Sequence, residues 1–191
     1  MYGDSTVMAL ITTKASHLTD GANITAGTVN AARMTPGSVI QVQRVSVGNG
    51  TTSAGTLSHG FSTSSTSYVS TSVPTLTITT KVANSHILVT SNVPMQSTTT
   101  GDGSGAMIIV HSLDSYGAAI GETLSINYRE SSNGWVQNST LEAYHSPNVA
   151  AGTAITYDIW CKKHTGSHSV YVFDSWGKNQ HYNFMAMEIA P

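Results

Sequence analysis

The sequence predicts an all-β protein, an antiparallel β-sandwich of jelly-roll-like character with a short extended amino-terminal arm. Apolar and polar residues alternate in many short segments from Val39 to the last residue, which is the period of half-buried strands. Clusters of Gly, Ser, Asn and Pro separate these segments at the spacing of sandwiches and jelly rolls. The pattern contains no long amphipathic helix. We therefore divide the chain into an arm, residues 1–38, and a β-sandwich knob, residues 39–191.

The chain carries few charges, and this excludes several classes of partner. Only 9% of its residues are Asp, Glu, Lys or Arg, whereas 52 of 191 are Ser or Thr, so hydroxyls and amides provide its solubility. A net charge of −2 leaves no basic surplus for binding phosphates, so nucleic acid is not an expected partner. The first residues contain neither a signal peptide nor a membrane span. We expect no membrane insertion.

Residues Leu18–Val42 connect the arm to the knob. Within this connector, Thr19–Gly27 holds one strongly apolar residue, Ile24, so it cannot bury enough surface to offset its ordering entropy alone. Thr28–Met34 could form a turn or two of helix. After Pro36 the pattern becomes that of a strand. The arm therefore needs a partner in order to become ordered.

Two neighbouring segments predict a hairpin. Thr75–Thr79 alternates strictly, with Leu76 and Ile78 on one face, and Ser85–Val93 continues the alternation after a short polar connection. Gly105–Leu113 is instead apolar on both faces, which predicts a strand covered on both sides. Five later segments are also predicted strands: Thr123–Arg129, Trp135–Ala143, Ala154–Cys161, Ser169–Phe173 and Tyr182–Ile189. Together with the strand that begins at Val39 and the three segments above, they bring the total to about nine. Gly48–Ser72 gives no clear pattern apart from a strand near Tyr68.

The last strand permits two interpretations. Met185, Met187 and Ile189 fall on one face, Phe184 and Ala186 fall on the other, and Glu188 is the only charge. A strand apolar on both faces is typical of the centre of a core. Methionines with few charges are also typical of a face that packs against another copy of the chain. The two interpretations are compatible.

The candidates for chemistry in the sequence are weak. Cys161, the only cysteine, excludes an intrachain disulfide and is expected to be a small buried apolar residue. With His164 and His168 it approaches a zinc spacing, C-x2-H-x3-H, and His181 lies further on, but the motif itself lacks a fourth ligand and strands would separate the side chains. Five carboxylates show no spacing that would pair them: Glu122, Glu130, Glu142, Asp158 and Asp174. We predict no catalytic residue, no metal and no cofactor.

Aromatic residues in turns offer a better hypothesis of binding. Trp135 and Trp176 each adjoin a glycine in a turn, and Trp176 lies near Asn179. Such side chains can stack on a sugar or anchor a protein partner. Tyr157 and Trp160, by contrast, are predicted to fill the core.

Three segments resemble a known family. The arm motif Gly21–Met34, the entry Pro36–Val42 and the ending Met187–Pro191 resemble the distal modules of tailed-bacteriophage fibres and related virion knobs. The resemblance implies a homotrimer with a jelly-roll or C1q-like head, made in the host cytoplasm and displayed on the virion surface. Its further partners would be the major capsid protein or tail components, and a host surface glycan.

The resemblance leaves two placements on the virion. Residues 1–38 reach at most roughly 125–135 Å when fully extended, which suits direct seating on a surface. We therefore expect a capsid decoration, or cement, protein ahead of a short tail-fibre or receptor-binding protein. The partner-binding residues expected in the arm are Ile24, Val29, Arg33 and Met34, and those in exposed loops are Trp135, Trp176 and Asn179.

Overall fold

The fold is an antiparallel β-sandwich, as the sequence predicts. The computed structural model describes residues 34–47, 61–71, 74–97, 103–127, 136–166, 169–172 and 182–191. Within them the chain forms eleven strands and one 3₁₀ turn, Ser112–Asp114. The strands are β1 (Val39–Val47), β2 (Phe61–Thr63), β3 (Val69–Ser70), β4 (Leu76–Thr79), β5 (His86–Ser97), β6 (Gly103–His111), β7 (Ala119–Asn127), β8 (Val136–His145), β9 (Ala154–Gly166), β10 (Val170–Val172) and β11 (Tyr182–Ile189).

The strands divide into two sheets. In sheet A, β5 pairs with β8 on one side and with both β11 and β10 on the other, and β1 and β2 lie outside β11 and β10 respectively. In sheet B, β9 pairs with β6 on one side and with β4 and β3 on the other, and β7 lies outside β6. All of these pairs are antiparallel.

The core lies between the two sheets. Tyr157 is fully buried there, as predicted, and packs in one apolar cluster with Ile78, Ile109 and Phe184. Cys161 belongs to the same cluster, which confirms its expected role as a small buried residue. Burial raises the pKa of the Cys161 thiol to about 12, so the thiol stays protonated and unreactive at neutral pH.

The predicted hairpin of β4 and β5 is wrong. β4 pairs with β9 in sheet B, whereas β5 belongs to sheet A, so the connection between them crosses from one sheet to the other. The alternating pattern is compatible with both arrangements, because Leu76 of β4 and Ile87 of β5 are equally buried when they face each other across the core. A tertiary contact described below, the binding of this connection by Glu188, holds the crossing in place.

The prediction that the sixth strand is covered on both faces is confirmed. Every described side chain from Ser104 to His111 is buried. Strand β6 ends at His111, however, and the predicted last residue, Leu113, lies in the 3₁₀ turn with 41% of its surface exposed. The residues on the outer face of β6 are Ala106, Ile108 and Val110.

Trp160 lies outside the core, contrary to our prediction. It alternates along β9 with the core residues Ile159 and Cys161, so its side chain falls on the outer face of sheet B. There its ring stacks on Tyr116 with centroids 6.2 Å apart, and its Nε1 donates a 2.8 Å hydrogen bond to Asp158 Oδ2. The alternation of the strand already indicates this position, because the phase that holds Trp160 otherwise carries Thr156, Asp158 and Lys162.

The edges of the two sheets approach each other closely at β7 and β8. A Cβ atom added at Gly121 would lie 2.9 Å from the Ala143 Cβ and 2.9 Å from the Glu142 carbonyl oxygen. We expect Gly121→Ala to lower the free energy of unfolding by about 1–3 kcal/mol, because a backbone atom cannot move aside as a flexible side chain can. Urea unfolding measures this, and an unchanged midpoint would contradict the close packing.

The final strand occupies a central place in sheet A, between β1 and β5. Tyr182, Phe184 and Ala186 face the core and are buried, while Met185 and Met187 point outward and are half-buried. The core interpretation therefore holds for one face, and the other face remains partly open. No helix in the described ranges is long and apolar enough to cross a membrane.

Candidate functional site

The chain enters the sandwich and ends at the same corner, which we call the arm end. The Gly37 amide donates to the Ala190 carbonyl at 3.0 Å, and the Ala190 amide donates to the Ser38 carbonyl at 2.9 Å. Gly37 has φ of 85°, a left-handed conformation that favours glycine at the turn into β1. The residues that lead into β1 therefore lie beside the last residues of the chain.

A buried carboxylate holds one edge of the arm end together. Glu188 is fully buried, and its carboxylate accepts hydrogen bonds from the amides of Lys81 and Val82 at 2.8–3.0 Å and from the Ser85 hydroxyl at 2.8 Å. The Gln41 side chain donates to it at 2.6 Å and also to the Thr79 carbonyl of β4 at 2.6 Å. One carboxylate thus ties β1 and β11 of sheet A to the connection that leads to sheet B.

Two histidines and a tyrosine join the sheets at the opposite edge of the same end. The ring of His145, at the end of β8, stacks on that of His111, at the end of β6, with centroids 4.4 Å apart. His145 Nδ1 shares a 2.9 Å hydrogen bond with the Tyr157 hydroxyl. Glu188 and His145 both pair with Ile87, so these two polar links lie in one row across the sheet.

The surroundings of His145 favour its neutral form. Burial, together with the neighbouring His111, lowers the pKa of His145 to about 4, although the carboxylate of Asp114 acts in the opposite direction. Asp114 Oδ1 lies 3.5 Å from His111 Nδ1 and accepts a hydrogen bond from the Gly117 amide. A charge on His145 would face the ring of His111 at stacking distance, so the contact favours the neutral imidazole of His145.

The outer face of sheet A beside the arm end carries an apolar patch. Four of its residues form a row across the sheet, because Val42 pairs with Met187, Met187 with Leu88, and Leu88 with Tyr144. A second, shorter row pairs Val39 with Ile189. We call these residues the outer patch: Val39, Val42, Leu88, Tyr144, Met187 and Ile189.

The outer patch is open to solvent. Among the described residues, four large apolar side chains are strongly exposed, and three of them belong to the patch: Val39 at 48%, Val42 at 49% and Tyr144 at 58%. Single exposed apolar residues are ordinary on protein surfaces, but contiguous ones mark interaction sites. The fourth, Leu113, lies on the 3₁₀ turn, away from the patch.

The row next to the patch has opposite charges at its two ends. Arg44 on β1 pairs with Met185, Met185 with Thr90, and Thr90 with Glu142 on β8. Arg44 and Glu142 are both exposed, and Arg44 Nε donates a 2.7 Å hydrogen bond to Asn183 Oδ1. Sheet A therefore presents an apolar row beside a row that is positive at one edge and negative at the other.

The outer face of sheet B is closed by its own side chains. Tyr68 donates a 2.5 Å hydrogen bond to Glu122, and Lys162 Nζ lies 4.2 Å from the centroid of the Tyr68 ring. Burial, followed by the bond to Glu122 and its charge, raises the pKa of the Tyr68 phenol. With Trp160 and Tyr116, this cluster lies on the face of sheet B that carries the buried outer residues of β6. The two outer faces therefore differ in how far the chain covers them.

The three candidate carboxylates that the structure describes do not lie on one face of the sandwich. Glu142 lies on the outer face of sheet A, whereas Glu122 and Asp158 lie on that of sheet B. Asp158 is buried, and its carboxylate oxygens accept hydrogen bonds from the Ser70 hydroxyl, the Trp160 indole and the backbone amide of Ile159. Glu130 and Asp174 lie outside the described residues. Asp158 serves as a structural acceptor.

The two candidate metal ligands that the structure describes, Cys161 and His164, differ in burial. Cys161 is buried in the core and His164 is exposed, while His168 and His181 lie outside the described residues. Within the described ranges, no three His, Cys, Asp or Glu side chains come together as a metal site.

Most of the predicted partner-binding residues fall outside the described part of the chain. Met34 is half-buried in the bend that precedes β1. The others stay predictions without a described position: Ile24, Val29, Arg33, Trp135, Trp176 and Asn179. The helical turn predicted for Thr28–Met34 likewise lies outside, apart from Met34.

Sequence reasoning missed the outer patch as a unit. It identified Met187 and Ile189 as residues of a face that could contact another copy, but not Leu88, Tyr144 and the charges beside them. Each strand shows its own alternation, whereas the alignment of four strands into one row depends on register, which the sequence does not display.

Comparison with known proteins finds a likeness of fold but no matching family. No protein-family profile matches the chain, and no curated protein matches it. Its fold resembles chains in three solved structures from infectious bursal disease virus. The T13 viral particle gives a TM-score of 0.37 at 13% identity over 80% of this chain. The Gx strain gives 0.30 at 12% over 81%, and the D431N mutant VP2 protein of derived T=1 particles gives 0.30 at 14% over 81%.

The chain spans only part of these matched proteins, since it covers 36%, 39% and 37% of their respective lengths. The finer resemblance to phage knobs stays a prediction.

Proposed function

We propose that this chain is a non-enzymatic structural protein of a bacteriophage virion, in which the β-sandwich forms a homotrimeric surface knob attached through its amino-terminal arm. The protein is made in the host cytoplasm and displayed on the virion surface. Its role there is capsid decoration, in which the arm binds the major capsid protein and stabilises the head.

One observation carries this proposal. Two of the three segments that resemble virion knobs, Pro36–Val42 and Met187–Pro191, are far apart in the sequence but form adjacent antiparallel strands at the arm end. The third segment, Gly21–Met34, directly precedes this corner in the chain. Two of the resembling segments thus lie side by side in the molecule, and the third adjoins one of them in the sequence.

At the arm end, side-chain hydrogen bonds connect the two sheets, so a force applied through the arm reaches both of them. The Glu188 carboxylate and the His145–Tyr157 hydrogen bond link sheet A to elements of sheet B at this end. A pull on the strand that follows the arm is therefore shared by both layers of the sandwich. With three arms per trimer, each arm can bind weakly, because the linked sites raise one another's effective concentration.

Deletion of residues 1–33 tests attachment by the arm. We expect the truncated protein to keep its β-sandwich and its trimeric state but to lose binding to particles that lack the protein, by at least about 100-fold for three linked sites. Sedimentation with purified particles measures binding, and circular dichroism and light scattering monitor fold and mass. Undiminished decoration by a folded truncated protein would contradict the proposal.

A tail position is the second candidate, because the motifs that carry the resemblance are also those of fibre modules. A short tail fibre or receptor-binding protein would contact a host surface glycan or protein through the loops that hold Trp135, Trp176 and Asn179. The copy number per particle separates the two candidates, since hundreds of copies indicate capsid decoration and a few dozen or fewer indicate a tail. Quantitative mass spectrometry of purified virions supplies this number.

A further inference from the structure

The outer face of sheet A has the composition of a contact surface but lies open in the single chain. Its patch runs across four strands, and Val42 and Tyr144, at the two ends of the longer row, are about half exposed. The outer face of sheet B is instead occupied by Trp160, Tyr116 and Tyr68. The chain therefore covers one of its outer faces and leaves the other for a partner.

We propose that the outer patch is the contact between copies of this chain, and that Arg44 of each copy pairs with Glu142 of the next. This inference rests on the proposed trimer and names its interface. Copies arranged about an axis parallel to the strands of sheet A turn their outer faces inward, and the β1 edge of each copy meets the β8 edge of its neighbour.

Register decides which residues then meet. Rotation about an axis parallel to the strands leaves the height of every row unchanged. Val42 and Tyr144 end one row, so they meet across the contact, and Arg44 and Glu142 end the next row, so they also meet. In each copy the edge with Arg44 contacts the edge with Glu142 of the next copy. A closed ring of copies therefore contains one Arg44–Glu142 pair at every contact.

The chemistry of the two rows suits their places in such a contact. The apolar row would be removed from water and provide the affinity, with Tyr144 as a large aromatic anchor. The charged row would remain at the rim, where ion pairs fix register and orientation more than they add affinity. Two like edges brought together would instead oppose Arg44 to Arg44, so the charges also disfavour the reversed arrangement.

Truncation of the apolar row is the first test. We expect Tyr144→Ser and Val42→Ser each to raise the concentration of half-assembly by about tenfold or more, as for residues at the centre of an interface. Leu113→Ser is the matched control, because Leu113 is similarly exposed but lies outside the patch, and it should leave assembly unchanged. Sedimentation velocity measures assembly, and circular dichroism confirms that each variant is folded.

Charge exchange is the second test. Arg44→Glu and Glu142→Arg should each weaken assembly, since each creates a like-charge contact, and the double variant Arg44→Glu/Glu142→Arg should recover the affinity of the native protein to within about threefold. A double variant that assembles no better than the single variants would overturn the proposal. So would full assembly of Tyr144→Ser and Val42→Ser.

These outcomes are separate from those that test the proposed function. The mass of the native assembly tests whether it is a trimer, and the arm deletion tests attachment to particles. A native trimer that is indifferent to all of these substitutions would overturn this interface and leave both of those conclusions standing. A monomeric native chain would overturn the interface and the trimer, while attachment by the arm would be judged by its own experiment.

Discussion

Glu188→Ala is expected to lower the free energy of unfolding by about 3–5 kcal/mol, which is a large part of the stability of an ordinary domain. The carboxylate is fully buried and accepts bonds from the amides of Lys81 and Val82, the Ser85 hydroxyl and the Gln41 amide. Alanine leaves these donors without their acceptor and opens a void at a fully buried position. Urea denaturation followed by circular dichroism measures the loss.

Three further variants show whether the hydrogen bonds of Glu188 cause the loss of stability: Glu188→Gln, Gln41→Ala and Gln43→Ala. Glutamine preserves the volume of Glu188 but turns an NH₂ group toward donors, so we expect a loss of about half that of alanine. Gln41→Ala should cost about 1–2 kcal/mol, because Gln41 bonds to both Glu188 and Thr79, whereas Gln43→Ala, at an exposed position on the same strand, should change stability by less than about 0.5 kcal/mol. Equal effects at positions 41 and 43 would show that the carboxylate network does not stabilise the arm end.

The second large effect is a loss of stability in acid that depends on His145. Its pKa is about 4 in the folded protein and 6.5 in an unfolded chain. Above pH 6.5 the ring is neutral in both states and adds no pH dependence. Between pH 6.5 and 4 the unfolded chain binds a proton that the native protein does not, so stability falls as the pH falls, and below about 4 the effect levels off.

The size of this effect is moderate, because the ring is only half-buried. One unit of pKa corresponds to about 1.4 kcal/mol of unfolding free energy, and solvent screening reduces the contribution of a half-buried group. We therefore expect the free energy of unfolding to fall by about 1–2 kcal/mol between pH 7 and pH 4. His145→Gln should remove this component from the stability curve. Carboxylates also titrate in this range, so the informative quantity is the difference between native protein and variant.

An exposed histidine on β9, His164, provides the control for this experiment. His164→Gln should leave the pH dependence unchanged, since this side chain has no buried contact to lose on protonation. Thermal unfolding from pH 7.5 to pH 3.5 compares the three proteins. If His145→Gln follows the native curve throughout, the stacked pair with His111 does not control the acid sensitivity of the arm end.

The local patterns of the sequence predicted single strands well and their partners poorly. The doubly buried β6 and the core residues Tyr157 and Cys161 followed from alternation and apolar content, which each strand shows by itself. The supposed hairpin of β4 and β5 failed, because alternation shows that a strand has a buried face but not which sheet it joins. Trp160 failed for a different reason: its large apolar ring suggested the core, although Asp158 and Lys162 in the same phase of β9 place it on the outer face.

What the sequence by itself determined is the all-β class, the low charge, the single buried cysteine and the strand that begins after Pro36. These depend on composition and on periodicity along the chain, which are local properties. Only the tertiary structure decided that Glu188 binds a connection more than a hundred residues away, that His145 stacks on His111, and that four residues of the outer patch align in one row. Those contacts depend on strand order and register, which the packing of the whole chain fixes.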